Sequence, residues 1–185
     1  MLYDADIREP LFEFFEARHP KLRIMEELQM VDCIADAIIV LPDRLVGLEI
    51  KSDADSYRRL PRQVRDYDQV CDLNYVVVGS SHAKHILDHV PAWWGVLSVS
   101  VQGGGVALSS LREPGPSPQA RLALKLRLLW RSELAHILSR LGLPKYAGKG
   151  KRFVRERLLQ QIPTPILHEQ ISEELFERDY TATKK

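Results

Sequence analysis

Two apolar runs with a three-residue gap between them constrain this chain more than any other feature. Residues 33–41 read Cys-Ile-Ala-Asp-Ala-Ile-Ile-Val-Leu, and residues 45–51 read Leu-Val-Gly-Leu-Glu-Ile-Lys. Both are strand-like, rich in β-branched and aliphatic side chains. Pro42-Asp43-Arg44 is short enough to close them into an antiparallel hairpin. Side chains alternate across a strand, so Glu49 and Lys51 point to one face and Ile50 to the other. The hairpin pairing brings Asp36 beside Glu49. Two carboxylates and a lysine then share one end of an otherwise apolar sheet.

Burying an unpaired charge is costly, so this cluster requires a partner. One reading is an ion pair in which Lys51 neutralises a neighbouring carboxylate and does nothing else. The other is a divalent cation. Asp36 and Glu49 supply hard oxygen ligands, the Ile50 carbonyl can add another, and Lys51 can orient or help deprotonate an attacking water. Spacing alone leaves both open.

Further residues sharpen the second reading. Asp36, twelve intervening residues and then Glu49-Ile50-Lys51 resemble the motif of the PD-(D/E)XK, or restriction-endonuclease-like, nuclease superfamily. Downstream, Gln63-x-x-x-Tyr67 is similar to the additional motif of its RecB-like branch. The run from Glu27 to Gly95 resembles a small bacterial and phage-associated family within that superfamily. Ala35 stands where the motif name has proline, and Ile34 where relatives often carry a basic residue. The resemblance covers about the first 110 residues. It implies a mixed sheet flanked by helices in the order αβββαβ, with Asp36 and Glu49 as ligands of Mg²⁺ or Mn²⁺ and Lys51 as the catalytic lysine. It also implies that Gln63 and Tyr67 support the site, and that DNA is the substrate.

The preceding segment, residues 6–18, has an apolar stripe of Ile7, Leu11, Phe14 and Phe15, with Asp6 as expected N-cap. A glutamate from this helix joins the metal site in some members of the superfamily, which makes Glu13 a candidate. Glu27, on a first strand over residues 22–28, is the preferred one, facing Asp36. After the hairpin, Ser52 or Asp53 is expected to cap a helix running to Val70. Its buried stripe is Leu60, Val64, Tyr67 and Cys71, and Gln63 lies on the neighbouring one. Arg58, Arg59, Arg62 and Arg65 make this helix basic, as a surface bordering a polyanion would be, or simply a solvated face. Residues 73–79 read as a buried strand and residues 81–89 as a short helix. His82, His85 and His89 share one side of that helix, where surface histidines are the simpler reading than a zinc triad. Trp93 or Trp94 plugs the core edge. Residues 96–101 and 106–108 form a hairpin around Gly103-Gly104-Gly105, which lacks the lysine and helix of a phosphate loop.

Residues 113–119, with Pro114-Gly115-Pro116-Ser117-Pro118, read as a linker between a nuclease-like core (residues 1–112) and a helical region (residues 120–185). Helices are expected over residues 120–130, 132–141, 152–161 and 165–178. The stretch from Leu134 to Leu158 resembles a SAP-type helix-turn-helix, whose second helix binds DNA through its basic start. Lys149, Lys151 and Arg152 occupy that start. A helical lid or a dimer surface is the competing reading of this region.

Charge supports the same division of labour. A formal net charge of +1 conceals thirteen acidic and six basic side chains in residues 1–55, against two acidic and eleven basic in residues 121–160. The acidic half carries the proposed metal site and the basic segment offers a bed for a phosphate backbone. Met1 to Asp6 is no signal peptide, and no apolar run is long enough to span a bilayer. Cys33 and Cys71 lie apart in apolar settings, as reduced core thiols of a cytoplasmic protein do. The expectation is a Mg²⁺-dependent deoxyribonuclease, in DNA repair or phage and mobile-element biology. The alternatives are a nucleic-acid-binding module that keeps the fold without cutting, and an interaction protein whose cluster is an ion-pair network. Substrate form, sequence preference and oligomeric state are not readable from the chain.

Overall fold

The computed structural model describes residues 2–79, 82–103 and 105–180. Helix α1 (Asp4–Glu16) precedes strands β1 (Arg23–Gln29), β2 (Ile34–Val40) and β3 (Leu45–Lys51). A 3-10 turn, Tyr57–Arg59, leads into α2 (Leu60–Val70), and β4 (Leu73–Gly79) follows. The chain then forms β5 (Gly95–Gln102), β6 (Gly105–Arg112), a one-turn α3 (Leu122–Lys125) and helices α4 (Arg131–Arg140), α5 (Lys151–Gln161) and α6 (Thr164–Glu177).

The six strands lie side by side in chain order, in a mixed sheet. β1/β2, β2/β3 and β5/β6 are antiparallel, and β3/β4 and β4/β5 are parallel. A parallel neighbour requires a crossover, and α2 provides the one from β3 to β4. All seven residues of β3 are buried, as expected of a strand covered on both faces.

The two faces follow from side-chain parity. Ala37, Ile39, Leu48, Ile50 and Val77 pack with Ile7, Leu11 and Phe15 of α1. On the other face Ile38, Val40, Leu45, Val76 and Val78 meet Leu60, Val64 and Tyr67 of α2. That same core takes in Leu134 and Ile137 of α4, Val154 and Leu158 of α5, and Leu167 and Ile171 of α6.

The segment expected as a linker is tied to the sheet side. Gly115 N–H donates to Trp93 O at 2.9 Å, and Ser117 N–H to Asp72 O at 2.8 Å. The Tyr75 hydroxyl donates to Glu113 at 3.0 Å and Ser117 Oγ to Asp68 O at 2.8 Å.

Several element expectations need correcting. Helix α1 starts two residues early: Tyr3 is the N-cap, and the Asp6 side chain reaches back to accept the Tyr3 N–H at 2.8 Å. Ser52 does not cap a helix. Asp55 accepts from both its N–H and its hydroxyl, making a tight turn ahead of the 3-10 segment. Residues 120–130 are not one helix. α3 ends after a single turn, Leu126–Leu128 is 3-10, and Trp130 is extended as N-cap of α4. Residues 82–89 form turns ending in a 3-10 segment, Ile86–Asp88, so the histidines share no helix face; Ser81, the expected start, lies outside the described residues.

Candidate active site

β2 and β3 pair in register from Val40/Leu45 to Ala37/Leu48. The ladder stops there, one pair before Asp36 and Glu49. Side chains take over the backbone groups that the divergence frees. The Tyr67 hydroxyl accepts the Asp36 N–H at 3.1 Å and donates to Leu48 O at 2.8 Å, bridging the two strands. Asp36 Oδ2 accepts the Ile50 N–H at 2.7 Å. The carboxylate of β2 therefore lies directly against the backbone of the Glu-Ile-Lys segment.

Glu49 and Lys51 alternate with Leu45 onto the side covered by α2, where Gln63 reaches Lys51. The alternation of β2 breaks around Asp36, since Ala35 packs on the same side as Ile38 and Val40. Glu49 is 0% exposed and Lys51 3%. Lys51 Nζ donates to Glu49 Oε1 at 2.6 Å and to Gln63 Oε1 at 3.1 Å. The ammonium is thus held from two directions, by β3 and by α2. Glu49 Oε2 is buried and has no hydrogen-bond partner among the described residues. Burial, and next the charge of Asp36, push the Glu49 carboxyl up to about 7, against Lys51; the nearby Tyr67 hydroxyl gives its one proton to Leu48 O and not to this carboxylate. Burial also raises the half-buried Asp36, opposed by the Ile50 N–H and Lys51. The site concentrates more negative charge than its own residues neutralise.

Tyr67 and Trp94 are fully buried and pack edge to face, 5.6 Å between ring centroids. Gly47 makes the Tyr67 position available. A Cβ there would stand 2.4 Å from Tyr67 Cδ1 and 2.7 Å from Asn74 Oδ1. Arg8 of α1 approaches from the opposite face. Its Nη1 donates to Asp36 O at 3.1 Å and to Glu26 at 2.8 Å, and its Nε pairs with Asp4. Neither Gly47 nor Arg8 belongs to the sequence motif. A lone glycine inside a strand does signal close approach of another group; no pattern in the sequence marks Arg8.

Glu13 and Glu27 are exposed, and Glu27 has a left-handed backbone, φ 51°. Glu26 pairs with Ala37 and Leu28 with Ala35, so Glu27 and Asp36 occupy facing positions left out of the β1/β2 pairing. Among the described residues no three His, Cys, Asp or Glu side chains form a metal-ligating group, so neither glutamate joins Asp36 and Glu49. The same holds for the three histidines.

Arg58, Arg59, Arg62 and Arg65 are all exposed along the start of α2, and Arg62 donates to Asp32 O at 2.9 Å. Lys149, Lys151 and Arg152 are exposed at the start of α5, where Arg152 pairs with Glu156 at 3.0 Å and Lys149 lies over the Phe153 ring. A cavity of about 630 Å³ lies around the β2–β3 turn, lined by Phe14, Phe15, Arg44, Val46 and Tyr75. It is at the far end of β3 from Lys51 and contains none of these groups. No helix among the described residues is long and apolar enough to cross a membrane.

The model of the family described as bacteriophage P4 protein cII matches residues 2–185, and the chain belongs to that family. No curated protein matches it. Among solved structures, SfsA of Pyrococcus furiosus, determined in complex with Ca²⁺, is similar at 15% identity with a TM-score of 0.34. That match covers 62% of this chain and 60% of the SfsA chain.

Proposed function

We propose that this member of the P4 cII protein family is a divalent-metal-dependent nuclease of the PD-(D/E)XK type that hydrolyses DNA phosphodiester bonds. The observation that carries the reading is the orphaned Glu49 Oε2, buried beside Asp36 while Lys51 bonds only the other oxygen of that carboxylate, Oε1. A simple ion pair accounts for Oε1 and leaves Oε2 unexplained. A hard cation accounts for both, because it neutralises the surplus charge and gives the unpaired oxygen a ligand role. The donor set therefore fits Mg²⁺ or Mn²⁺, with Asp36, Glu49 and the Ile50 carbonyl as protein ligands. The order α1-β1-β2-β3-α2-β4 supports the restriction-endonuclease-like core.

When bound, such an ion lowers the pKa of a coordinated water and offsets charge developing on the phosphate. The chain's own residues do the rest. Gln63 and Glu49 fix the Lys51 ammonium and leave it a further N–H for the attacking water or a phosphoryl oxygen. Tyr67 and Arg8 hold the Asp36 backbone, and so its carboxylate, against β3. Arg58 and Arg59 border the site on the α2 side, where they can bind flanking phosphates.

The test compares wild type, Asp36→Asn and Lys51→Ala on plasmid, linear and single-stranded DNA with Mg²⁺, Mn²⁺ or EDTA. Wild type is expected to cut with metal only, and Asp36→Asn to lose both cutting and calorimetric Mn²⁺ binding. Lys51→Ala should keep the metal and lose roughly 10²–10³-fold in rate. Wild type that binds DNA and never cuts it supports the binding-module alternative. Lys51→Ala that melts early and cuts normally once folded returns the cluster to the ion-pair reading favoured by the 2.6 Å contact.

A further inference from the structure

Three aromatic side chains next to the site play no part in the chemistry above. Tyr57 opens the 3-10 turn six residues after Lys51, and His82 follows three residues after Gly79, the end of β4. β3 and β4 are parallel, with Lys51 opposite Val78, so both loops leave the sheet at the end that carries Glu49 and Lys51. The loops are in contact there: a Cβ on Gly79 would lie 2.2 Å from Asp53 Oδ1. Above them the Tyr57 ring lies 4.5 Å from that of His89, tilted at 45°, and 5.2 Å from that of His82, at 60°. His89 is exposed and Tyr57 half-buried, so the group presents ring surface to solvent. The buried anchor of this loop is instead the aliphatic Ile86. Arg58 and Arg59 follow Tyr57 directly, both exposed and without a carboxylate partner among the described residues.

Aromatic rings beside unpaired cations form a surface for a nucleobase and its phosphates. In duplex DNA the base faces are covered by their neighbours, so only an unpaired nucleotide can use such a surface. We infer that the substrate is DNA with an unpaired strand at the point of cleavage. One unpaired base stacks on Tyr57 and His89, Arg58 and Arg59 hold the adjoining phosphates, and the strand runs on to Lys51. This rests on the nuclease reading and narrows its substrate class.

The test is direct binding by the full chain in EDTA, where cleavage is blocked. The probe is a short DNA oligonucleotide carrying one 2-aminopurine, used single-stranded and annealed to its complement. Stacking should quench the 2-aminopurine in the single strand on binding, and the duplex should bind without that signal. His89→Ala and Tyr57→Leu should each weaken single-strand binding by about tenfold or more and leave duplex binding unchanged. Tyr57→Phe keeps the ring and should bind as wild type. His89 is exposed, so its variant tests the idea even if Tyr57→Leu fails to fold. Absent quenching, or loss of single-strand and duplex binding alike in the His89 variant, overturns the inference. Quenching that depends on these rings, in a protein that cuts nothing with Mg²⁺ or Mn²⁺, keeps the unpaired-strand surface and removes the nuclease reading. Equal cutting of single strand and duplex, unaffected by His89→Ala, does the reverse.

Discussion

Glu49→Gln is expected to make the metal-free protein more stable at pH 8, although it removes a proposed metal ligand. The carboxyl has an ordinary value of 4.5 and is pushed up to about 7, by burial first and then by Asp36. A carboxyl whose native pKa exceeds its unfolded one binds more protons in the folded state between those values. Unfolding free energy therefore falls as pH rises through that window. The stabilisation is complete below about 4.5 and lost above about 7. At about 1.4 kcal/mol per pH unit of separation, the loss amounts to roughly 3 kcal/mol. Glutamine has the same shape, still accepts from Lys51 Nζ, and does not titrate. Near pH 4.5 the two proteins should be about equally stable. By pH 8 the variant should lead by roughly 3 kcal/mol. Asp36 is common to both and largely cancels in the difference. Urea unfolding in EDTA at several pH values between 4.5 and 8 measures this. A wild-type-minus-variant difference that is flat across the window would show that Lys51 fully neutralises Glu49. The case for a cation at Oε2 would fall with it. Adding Mn²⁺ at pH 8 should raise the melting temperature of wild type and leave Glu49→Gln unmoved.

Three further outcomes follow from the same geometry. Tyr67→Phe leaves the Asp36 N–H and Leu48 O without their shared partner; a loss of about 2–4 kcal/mol in urea unfolding is expected, and an unchanged midpoint would mean water replaces the hydroxyl. Gly47→Ala drives a methyl into the Tyr67 ring; about 1–3 kcal/mol of stability should be lost, with weaker Mn²⁺ binding by calorimetry as Tyr67 releases Asp36. Charge reversal at Lys149, Lys151 and Arg152 should weaken DNA binding and lower the log–log salt slope by about 0.9 per lost phosphate contact on duplex DNA; an unchanged slope would make the start of α5 part of a lid or dimer surface.

The hairpin was legible because two simple rules suffice for it. The short connection sets the pairing, although it takes four residues, 41–44, where the sequence suggests three, and a period of two puts Glu49 and Lys51 on one side. Gln63 reaching Lys51, and Tyr67 reaching both strands, were legible only as a stripe one helical turn apart on α2. What failed were segments whose conformation depends on distant partners. Residues 120–130 have helical periodicity, but Arg121 N–H is bonded to Gln69 O, and Leu126, Leu128 and Leu129 are all buried. Lys125, buried among them, pairs with Asp72 at the start of β4. The proline-rich segment 113–119 does have a linker's composition, and proline's fixed φ suits a tethered segment as well as a free one. Its hydrogen bonds to Trp93, Asp68 and Asp72 cannot be read from composition.

The point where β2 leaves β3 lies one pair before Asp36 and Glu49. An unbroken ladder would carry the pairing on past Asp36 and Glu49 and leave no gap between them. Tyr67, admitted by Gly47, replaces the lost ladder contacts with two of its own and packs edge to face against Trp94. Trp94 in turn donates to the buried Asp68 at 2.8 Å, which also accepts from Trp93 at 3.0 Å and Asn74 at 3.2 Å. The divergence of the strands is therefore held by a polar network anchored in α2 and β4, outside Asp36 and Glu49 themselves. Charge and scaffold can then be perturbed independently. Glu49→Gln should alter the pH dependence and the response to metal while the Tyr67 bridge stays intact. Tyr67→Phe should loosen the bridge while both carboxylates remain.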